Sequence, residues 1–247
     1  MPKDLFSKQA DLYAKYRPTY PQELYNYILS FVKEKITCWD CATGNGQAAI
    51  VLADYFKKVF ATDISAAQIE KAVVKENIEY SVCPAESTPF ANNTFDLVTV
   101  AQAYHWIKWD DFKKEITRIS KPGAIIAIWT YYDRITEDKK IDIAVKRFYD
   151  DITKPYWDAE RKHVDEKYDT VEFDYDLLPA KTFDSILYWQ REDLIGYIKT
   201  WSAIQKFQKV NGYSPVPAIE EEINQLWPGG ETKKVVFPIY LKLGRIK

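Results

Sequence analysis

The segment Asp40-Cys-Ala-Thr-Gly-Asn-Gly-Gln47 decides the fold, because it joins an extended stretch to a helical one. Residues Ile36–Thr43 are typical of a short strand, and Gln47–Tyr55 are rich in Ala, Ile and Leu, which favours a helix. Glycines at such a junction let the backbone approach a ligand closely and leave the first helical amides free to donate to it. The segment therefore predicts a strand–turn–helix unit with a ligand at the turn.

The alternation of strand and helix continues along the chain. Short apolar stretches are separated by stretches with helical spacing, an order typical of βαβ units in a parallel sheet. Ser65 is placed to cap a helix that runs from Ala66 to about Glu76. The nearly continuous apolar run Phe95–Ala101 predicts a strand buried on both faces. The other strands predicted here are Lys58–Ile64, Ile78–Cys83 and Ala124–Thr130, and Trp109, Phe112, Ile116 and Ile119 mark a helix.

The pattern changes after about Asp133. An amphipathic helix is predicted over residues 141–152, and residues 155–179 have no clear period. Two late strands, Lys181–Trp189 and Lys234–Leu243, flank a helix from about Arg191 to Lys209. Pro238 lies inside the second of them and suits an edge strand or a bulge. One domain with an insertion between the fifth and sixth strands fits this order.

The composition excludes several classes of protein. The 247 residues carry 34 Lys and Arg against 36 Asp and Glu, a net charge of −2, which argues against binding to nucleic acid phosphates. The N-terminus has no apolar signal segment, and the purest apolar stretch, residues 124–129, is too short to cross a bilayer. We therefore expect a cytoplasmic protein. Cys38 and Cys41 are three apart on a predicted strand, so they point to opposite faces and cannot share a metal.

Asp63 ends the strand that follows the glycine segment, about twenty residues downstream. A carboxylate there can accept hydrogen bonds from both hydroxyls of a ribose, which predicts a nucleoside site. Residues 44–49 match the dinucleotide pattern G-x-G-x-x-A, so an NAD enzyme is one possibility. Asp40, which is placed to hold a ligand ammonium, weighs against NAD. So does the strand–helix–strand unit at the C-terminus, which is unlike a second mononucleotide-binding half.

The chain resembles class I S-adenosylmethionine-dependent methyltransferases of the type-11 group. Asp40-x-Ala42-x-Gly44-x-Gly46 is similar to the first motif of that family, with Ala42 where glycine is usual, and Asp63 matches its ribose-binding acid. Residues 84–90, 94–98 and 121–123 resemble the adenine loop, the fourth strand and the turn into the fifth strand. Residues 101–106 and 13–21 are similar to the trans-aconitate methyltransferase branch.

The resemblance implies a doubly wound, mostly parallel, seven-stranded Rossmann-like α/β sheet with helices on both faces and a terminal antiparallel strand. It implies one domain, 1–247, made of an N-terminal lid (1–35), a cofactor-binding core (36–133), a substrate cap (134–180) and C-terminal strands with a helix (181–247). Ala42 is tolerable if its φ is negative. Because Pro84 replaces the usual acid, Glu86 or a backbone carbonyl would accept from the adenine amino group. S-adenosylmethionine would be held, and S-adenosylhomocysteine left as product, by Tyr13, Arg17, Asp40, Ala42, Gly44, Gly46, Gln47, Asp63, Ile64, Ala85, Glu86, Ala101 and Gln102.

Substrate residues are predicted from the resemblance and from chemistry together. His105 is placed either to take a proton or to contact a substrate carboxylate, or it is a structural histidine hydrogen-bonded to the backbone beside Trp106. Arg17 suits a carboxylate through its planar fork, or it is a solvated arginine among tyrosines. Cation–π attraction to an aromatic face stabilises a bound sulfonium by about 1 kcal/mol per ring. The candidates for that contact are Tyr13, Tyr16, Tyr104 and Trp106, and the substrate set is completed by Tyr20 and Trp201.

The function predicted is in-line transfer of a methyl group to a small molecule, at an oxygen of an organic acid. Such a transfer depends on alignment and on the exclusion of water, and needs a base only when the nucleophile carries a proton. No nucleic acid, membrane or metal partner is expected. Two alternatives stay open: an NAD-dependent oxidoreductase and a non-catalytic nucleoside-binding module.

Overall fold

The centre of the molecule is a parallel sheet flanked by an antiparallel extension. The computed structural model describes residues 15–247. In chain order the strands are β1 (Thr37–Cys41), β2 (Lys58–Asp63), β3 (Ile78–Val82), β4 (Phe95–Ala101), β5 (Ser120–Tyr131), β6 (Ile135–Thr136), β7 (Asp176–Leu177), β8 (Thr182–Trp189) and β9 (Lys233–Arg245). The first five pair in parallel in the order β3-β2-β1-β4-β5.

β9 extends the sheet beyond β5 in the antiparallel sense. Tyr240 of β9 pairs with Thr130 of β5 and with Thr182 of β8, so β5 and β8 lie on opposite edges of β9. The long strands therefore follow the order β3-β2-β1-β4-β5-β9-β8, with short pairings of β6 and β7 to β9. This confirms the predicted mostly parallel Rossmann-like sheet with an antiparallel C-terminal strand.

Helices cover both faces, so each face of the sheet has its own core. Cys38 belongs to one core and Cys41 to the other, and both are buried free thiols, which confirms that they point to opposite faces. Trp39 is fully buried in the second core, where each large side chain contributes about 2–3 kcal/mol. The helices are α1 (Gln22–Leu29), α2 (Gln47–Leu52), α3 (Ala66–Ile69), α4 (Trp109–Ile119), α5 (Lys139–Arg147), α6 (Arg161–Asp165), α7 (Arg191–Lys199), α8 (Ser202–Asn211) and α9 (Val216–Leu226).

Several predicted boundaries are wrong. α3 ends at Ile69 rather than near Glu76, because the following Val73 and Val74 are exposed and no apolar face packs there to stabilise a helix. The single helix predicted after Arg191 is two helices, α7 and α8, separated where the Thr200 hydroxyl donates to the carbonyl of Tyr197.

The C-terminal half also departs from the predicted pattern. α9 was not among the predicted helices, although Val216, Ile219 and Ile223 form its buried stripe. Pro238 suits an edge strand or a bulge, but β9 is not an edge strand, because it pairs with β5 along one edge and with β8 along the other. Pro238 instead lies where pairing along one edge of β9 is interrupted, since β5 pairs as far as Ile239 and β6 begins at Val236. A residue without an N–H is tolerated at such a gap.

Candidate active site

A cavity of about 550 Å³ opens at the carboxyl ends of β1 to β4, and a volume of this size suits a small ligand. Its wall is built from the loops that follow these four strands, from the helical turn at Tyr104–Trp106, and from two distant residues, Tyr20 and Glu160. The predicted site residues on the wall are Tyr20, Ala42, Gly44, Gln47, Asp63, Ile64, Ala85, Glu86, Ala101, Gln102 and Trp106.

The loop after β1 is held in a left-handed backbone conformation. Gly44 and Gly46 have φ values of 58° and 85°, and a Cβ on Gly46 would collide with the hydroxyl of Tyr80 on β3. Ala42 has a φ of 53°, so the negative φ that would make an alanine tolerable at this position is not present. A non-glycine residue in this region is strained by about 1 kcal/mol or more, so the loop geometry is imposed by its surroundings.

Asp63 joins the loop after β1 to the start of α3. Its Oδ2 accepts from the backbone N–H of Gly44 and its Oδ1 from that of Ser65, both at 2.9 Å. A carboxylate oxygen can accept more than one hydrogen bond, so these contacts are compatible with further acceptance from a ligand hydroxyl. Asp63 thus lies on the cavity wall, with each carboxylate oxygen bound to one backbone N–H.

Asp40 is not on the cavity wall, contrary to its predicted contact with a ligand ammonium. It is fully buried, and its carboxylate accepts from the hydroxyls of Thr43 at 2.5 Å and Thr99 at 2.7 Å. Burial raises the pKa of the Asp40 carboxyl to about 6, partly offset by these hydrogen bonds. Asp40 therefore supports the loop from behind, through Thr43. Gly46 is likewise absent from the wall and shapes the turn.

The end of the cavity near β3 is formed by Pro84, Ala85 and Glu86. One oxygen of Glu86 accepts from the backbone N–H of Lys108 at 3.0 Å, which ties the loop after β3 to the start of α4. Ile64, next to Asp63, completes this apolar and acidic end. The arrangement can accept a flat ring with an amino group at its edge.

Gln102 shapes the wall at the end of β4. Its φ is 55°, and its side-chain amide is occupied by β5: it donates to the carbonyl of Tyr131 and accepts from the Tyr131 N–H and the Thr130 hydroxyl. The side chain is therefore committed to holding the ends of β4 and β5 together.

His105 is buried behind Trp106 and is not on the wall, so its predicted role as a base or carboxylate contact is not supported. Its Nδ1 lies 2.8 Å from the hydroxyl of Tyr168, and its ring packs on Trp106. Burial lowers the pKa of His105 to about 3, with help from the charge of Arg161. The imidazole is neutral at physiological pH, as the structural alternative expected, although its partner is a side chain.

Two more predicted site residues lie off the wall: Arg17, predicted to bind both cofactor and substrate, and Trp201, predicted to bind substrate. Arg17 donates to the hydroxyl of Tyr131 at 3.1 Å and to the carbonyl of Thr200 at 3.3 Å, and its guanidinium lies over the ring of Tyr197. Trp201, between α7 and α8, is buried against the insertion, where it contacts the rings of Phe148, Tyr149 and Trp157. Tyr13 lies outside the described residues.

Other wall residues were not among the predicted ones. Thr43, Ser65 and Cys83 lie within two residues of the ends of β1, β2 and β3, so the rule that ligands bind at the carboxyl ends of parallel strands would have found them. Lys108, Asp111 and Glu160 also line the cavity, and Glu160 comes from the insertion without any sequence signal. Within residues 15–247, no helix has the length and apolar character of a membrane span, and no cluster of side chains suits a metal ion.

Comparison with known proteins shows consistent similarities. Residues 39–128 match the family described as the methyltransferase domain. A Dictyostelium discoideum protein named as a methyltransferase is 33% identical over 249 residues, covering 98% of this chain and 95% of its own. A solved structure from Anaeromyxobacter dehalogenans, described as a type II methyltransferase, is 32% identical with a TM-score of 0.84 and covers 93% and 98% of the two chains. A methyltransferase structure from Anabaena variabilis, 16% identical with a TM-score of 0.57, shares the fold over 92% and 98%.

Proposed function

The chain belongs to the methyltransferase domain family, and on that premise we propose that it transfers a methyl group from S-adenosylmethionine to a small molecule. One observation carries the proposal. The cavity follows the carboxyl ends of β3, β2, β1 and β4 in that spatial order, with the Asp63 carboxylate near its middle and the glycine loop beside it. Its volume and the order of its polar groups suit a ligand with a ribose between two other groups.

The wall fits the parts of S-adenosylmethionine in sequence. The adenine would lie between Ile64 and Ala85, with Glu86 near its amino group, and the ribose hydroxyls would donate to Asp63. The amino-acid tail would lie along Ala42, Gly44 and Gln47, near the amides at the N-terminus of α2. When bound, the cofactor supplies a sulfonium methyl that is already a strong electrophile. Asp40, through Thr43, keeps the loop in shape for the tail.

The chemical contribution of the protein is alignment and the exclusion of water. Ala101 and Gln102 would border the methyl group, and Trp106 and Tyr20 would present aromatic faces to the positive charge, which is favourable by about 1 kcal/mol per ring. No general base is assigned, because His105 is neutral, buried and off the wall. Such a site serves nucleophiles that carry no proton at working pH.

An oxygen of an organic acid is the acceptor that the likeness to the trans-aconitate branch favours, at residues 101–106 and 13–21. On the part of the wall that the structure describes, Lys108 is the cation that can pair with an acceptor carboxylate. The same wall carries four carboxylates, those of Asp63, Glu86, Asp111 and Glu160. Four carboxylates repel a multiply charged acid. The acceptor proposed is therefore a small acid with one charge, and the panel tested should include neutral analogues.

The division of the chain follows the same proposal. Residues 36–133 would form the cofactor-binding core, 1–35 the N-terminal lid, 134–180 the cap and 181–247 the C-terminal strands, all within one domain. Glu160 supports the assignment of the cap, since it reaches the cavity from that segment. We further propose that the protein acts in the cytoplasm and has no nucleic acid or membrane partner.

A thermal-shift comparison tests the cofactor. S-adenosylhomocysteine should raise the melting temperature by several degrees, whereas NAD and NADH should not, since ligands that bind only the folded state stabilise it. A shift with NAD alone would support the oxidoreductase alternative, which the similarities to methyltransferases do not favour. The acceptor is then sought by mass spectrometry of a metabolite extract incubated with enzyme and methyl-labelled cofactor. Binding without any labelled product would support a non-catalytic nucleoside-binding module.

A further inference from the structure

Residues 16–20, named here the strap, contact the C-terminal part of the chain through four residues, Tyr16, Arg17, Thr19 and Tyr20. The strap precedes α1 in sequence, yet its partners belong to β5, β8, α7 and the turn after α7. Tyr20 at its end lies on the cavity wall and packs edge-on against Trp129 of β5, with ring centroids 5.3 Å apart. The strap therefore connects the C-terminal elements with the cavity.

The first attachment is at Gly196 in α7, where the absence of a side chain leaves room for a ring. The ring of Tyr16 sits so close to Gly196 that a Cβ there would lie 2.6 Å from two ring atoms. Gly196 is in the interior of the helix, where glycine is unfavourable compared with alanine. The glycine at position 196 therefore weakens α7 itself but allows close contact with the Tyr16 ring.

The next attachments are polar. Arg17 donates to the hydroxyl of Tyr131 and to the carbonyl of Thr200, and its guanidinium lies 5.2 Å from the ring centre of Tyr197. The hydroxyl of Ser185 on β8 donates to the carbonyl of Thr19 at 2.7 Å. Arg17 and Thr19 are thus hydrogen-bonded to three separate elements, namely β5, the turn after α7 and β8, which leaves the strap little freedom to move as a unit.

We propose that Gly196 is a positioning residue: by seating Tyr16 it fixes the strap, and the strap fixes Tyr20 on the wall at the acceptor end of the cavity. The assignment of that end rests on the proposed function and on the sheet order. Asp63 and the glycine loop follow β2 and β1, whereas Tyr20 packs on β5, on the far side of β4. Gly196 acts only through Tyr16, since its own position is in α7 and not on the wall.

Limited proteolysis tests the strap without reference to methyl transfer. Trypsin cleaves after the exposed Lys15, and cleavage there requires the residues that follow to leave their partners, whereas the bond after Arg17 is protected by Pro18. Gly196→Ala should release the fragment that begins at Tyr16 at least about tenfold faster than wild type, because overpacking at this contact opens the strap. Gly229→Ala is the matched control, since its added Cβ would meet only the flexible end of Arg191, at 3.4 Å. A folded Gly196→Ala protein with the wild-type cleavage rate overturns the proposal.

A double variant separates the strap from an effect on α7 itself. Tyr16→Ala should release the fragment rapidly, and adding Gly196→Ala to it should change the rate by less than about twofold, since the clashing ring is gone. Full additivity of the two substitutions contradicts a role through Tyr16. If Gly196→Ala does not fold, Tyr131→Phe, which removes one acceptor of Arg17, carries the test and should speed cleavage by a few fold.

One binding and one activity measurement then separate the acceptor end from the cofactor end. In Gly196→Ala, the affinity for S-adenosylhomocysteine should stay within about twofold of wild type, while transfer of labelled methyl into a metabolite extract falls about tenfold or more. Lost affinity with unchanged transfer would overturn the assignment of Tyr20 to the acceptor end. If wild type transfers no label at all, the proposed function fails, whereas the cleavage rates still decide whether Gly196 fixes the strap.

Discussion

Asp63 and Gly44 are joined by a hydrogen bond of 2.9 Å, in which the backbone N–H of the glycine donates to Oδ2 of the carboxylate. The bond ties the loop after β1 to the end of β2, and the other oxygen of Asp63 ties β2 to the N–H of Ser65. One carboxylate therefore organises two adjacent loops of the cavity. Its loss would disturb the loops and also remove an acceptor from the centre of the proposed cofactor site.

The Asp63→Ala variant should bind S-adenosylhomocysteine more weakly by about 1–3 kcal/mol, because buried donors in loop and ligand lose a charged acceptor. Titration calorimetry at constant pH measures the change. Asp184→Ala on the exposed face of β8 is the control and should leave the affinity unaltered. Equal affinities of Asp63→Ala and wild type would show that the ribose does not lie at Asp63.

The parts of this site that were predictable are those whose cause is local. The bounds predicted for β4, Phe95–Ala101, agree with the structure, since a strand buried on both faces needs a continuous apolar run. Asp63 and Gly44 could be placed because parallel strands bring their carboxyl ends to one edge. Both signals lie within a few residues of the feature that they predict.

The roles that could not be predicted depend on contacts between distant parts of the chain. His105 is held by Tyr168, 63 residues away, and Arg17 by Tyr131 and Thr200, 114 and 183 residues away. A planar cation near tyrosines has the same sequence signature whether it binds a ligand or anchors a segment. Burial, which sequence does not reveal for a single polar residue, decides between the two.

Ala42 offers a test of strain in the loop after β1. Because its φ is 53°, Ala42→Gly should relieve the left-handed strain and raise the free energy of unfolding by about 0.5–1 kcal/mol, after the entropy that glycine adds to the unfolded chain. Ala53→Gly, at a φ of −65°, is the control and should lower that free energy. Urea denaturation measures both. The same loss in both variants would mean that Ala42 is not strained.

His105 should make the protein less stable in mild acid. The pKa of its ring is lowered to about 3 by burial, so between pH 3 and the ordinary value near 6.5 the unfolded chain binds a proton that the folded chain does not. Its contribution is therefore complete above pH 6.5 and is lost as the pH falls. Lowering the pH from 7 to 5 should reduce the free energy of unfolding by about 1–2 kcal/mol through this residue.

The comparison that isolates this effect uses both histidines of the chain. His105→Asn should remove most of the loss between pH 7 and pH 5, whereas His163→Asn, at a half-exposed position, should remove less of it. The NMR signal of the His105 ring should not titrate between pH 8 and pH 5. A midpoint near 6.5 would show that the ring is solvated and able to act as a base, and would restore its predicted catalytic role.

Asp40 should change stability with pH in the opposite sense. Burial raises the pKa of its carboxyl to about 6, so between pH 3.8 and 6 the folded chain keeps a proton that the unfolded chain has lost. The stability that Asp40 contributes at low pH is therefore lost as the pH rises through 6. The Asp40→Asn side chain carries no charge to bury and can still form hydrogen bonds with Thr43 and Thr99. The free energy of unfolding of this variant should therefore exceed that of wild type by up to about 3 kcal/mol at pH 7.5, and by much less at pH 4.5. Urea denaturation at the two pH values measures this, with Asp184→Asn as an exposed control that should show no such difference. If Asp40→Asn is destabilised equally at both pH values, the hydrogen bonds to Asp40, and not its charge, dominate its role beneath the loop.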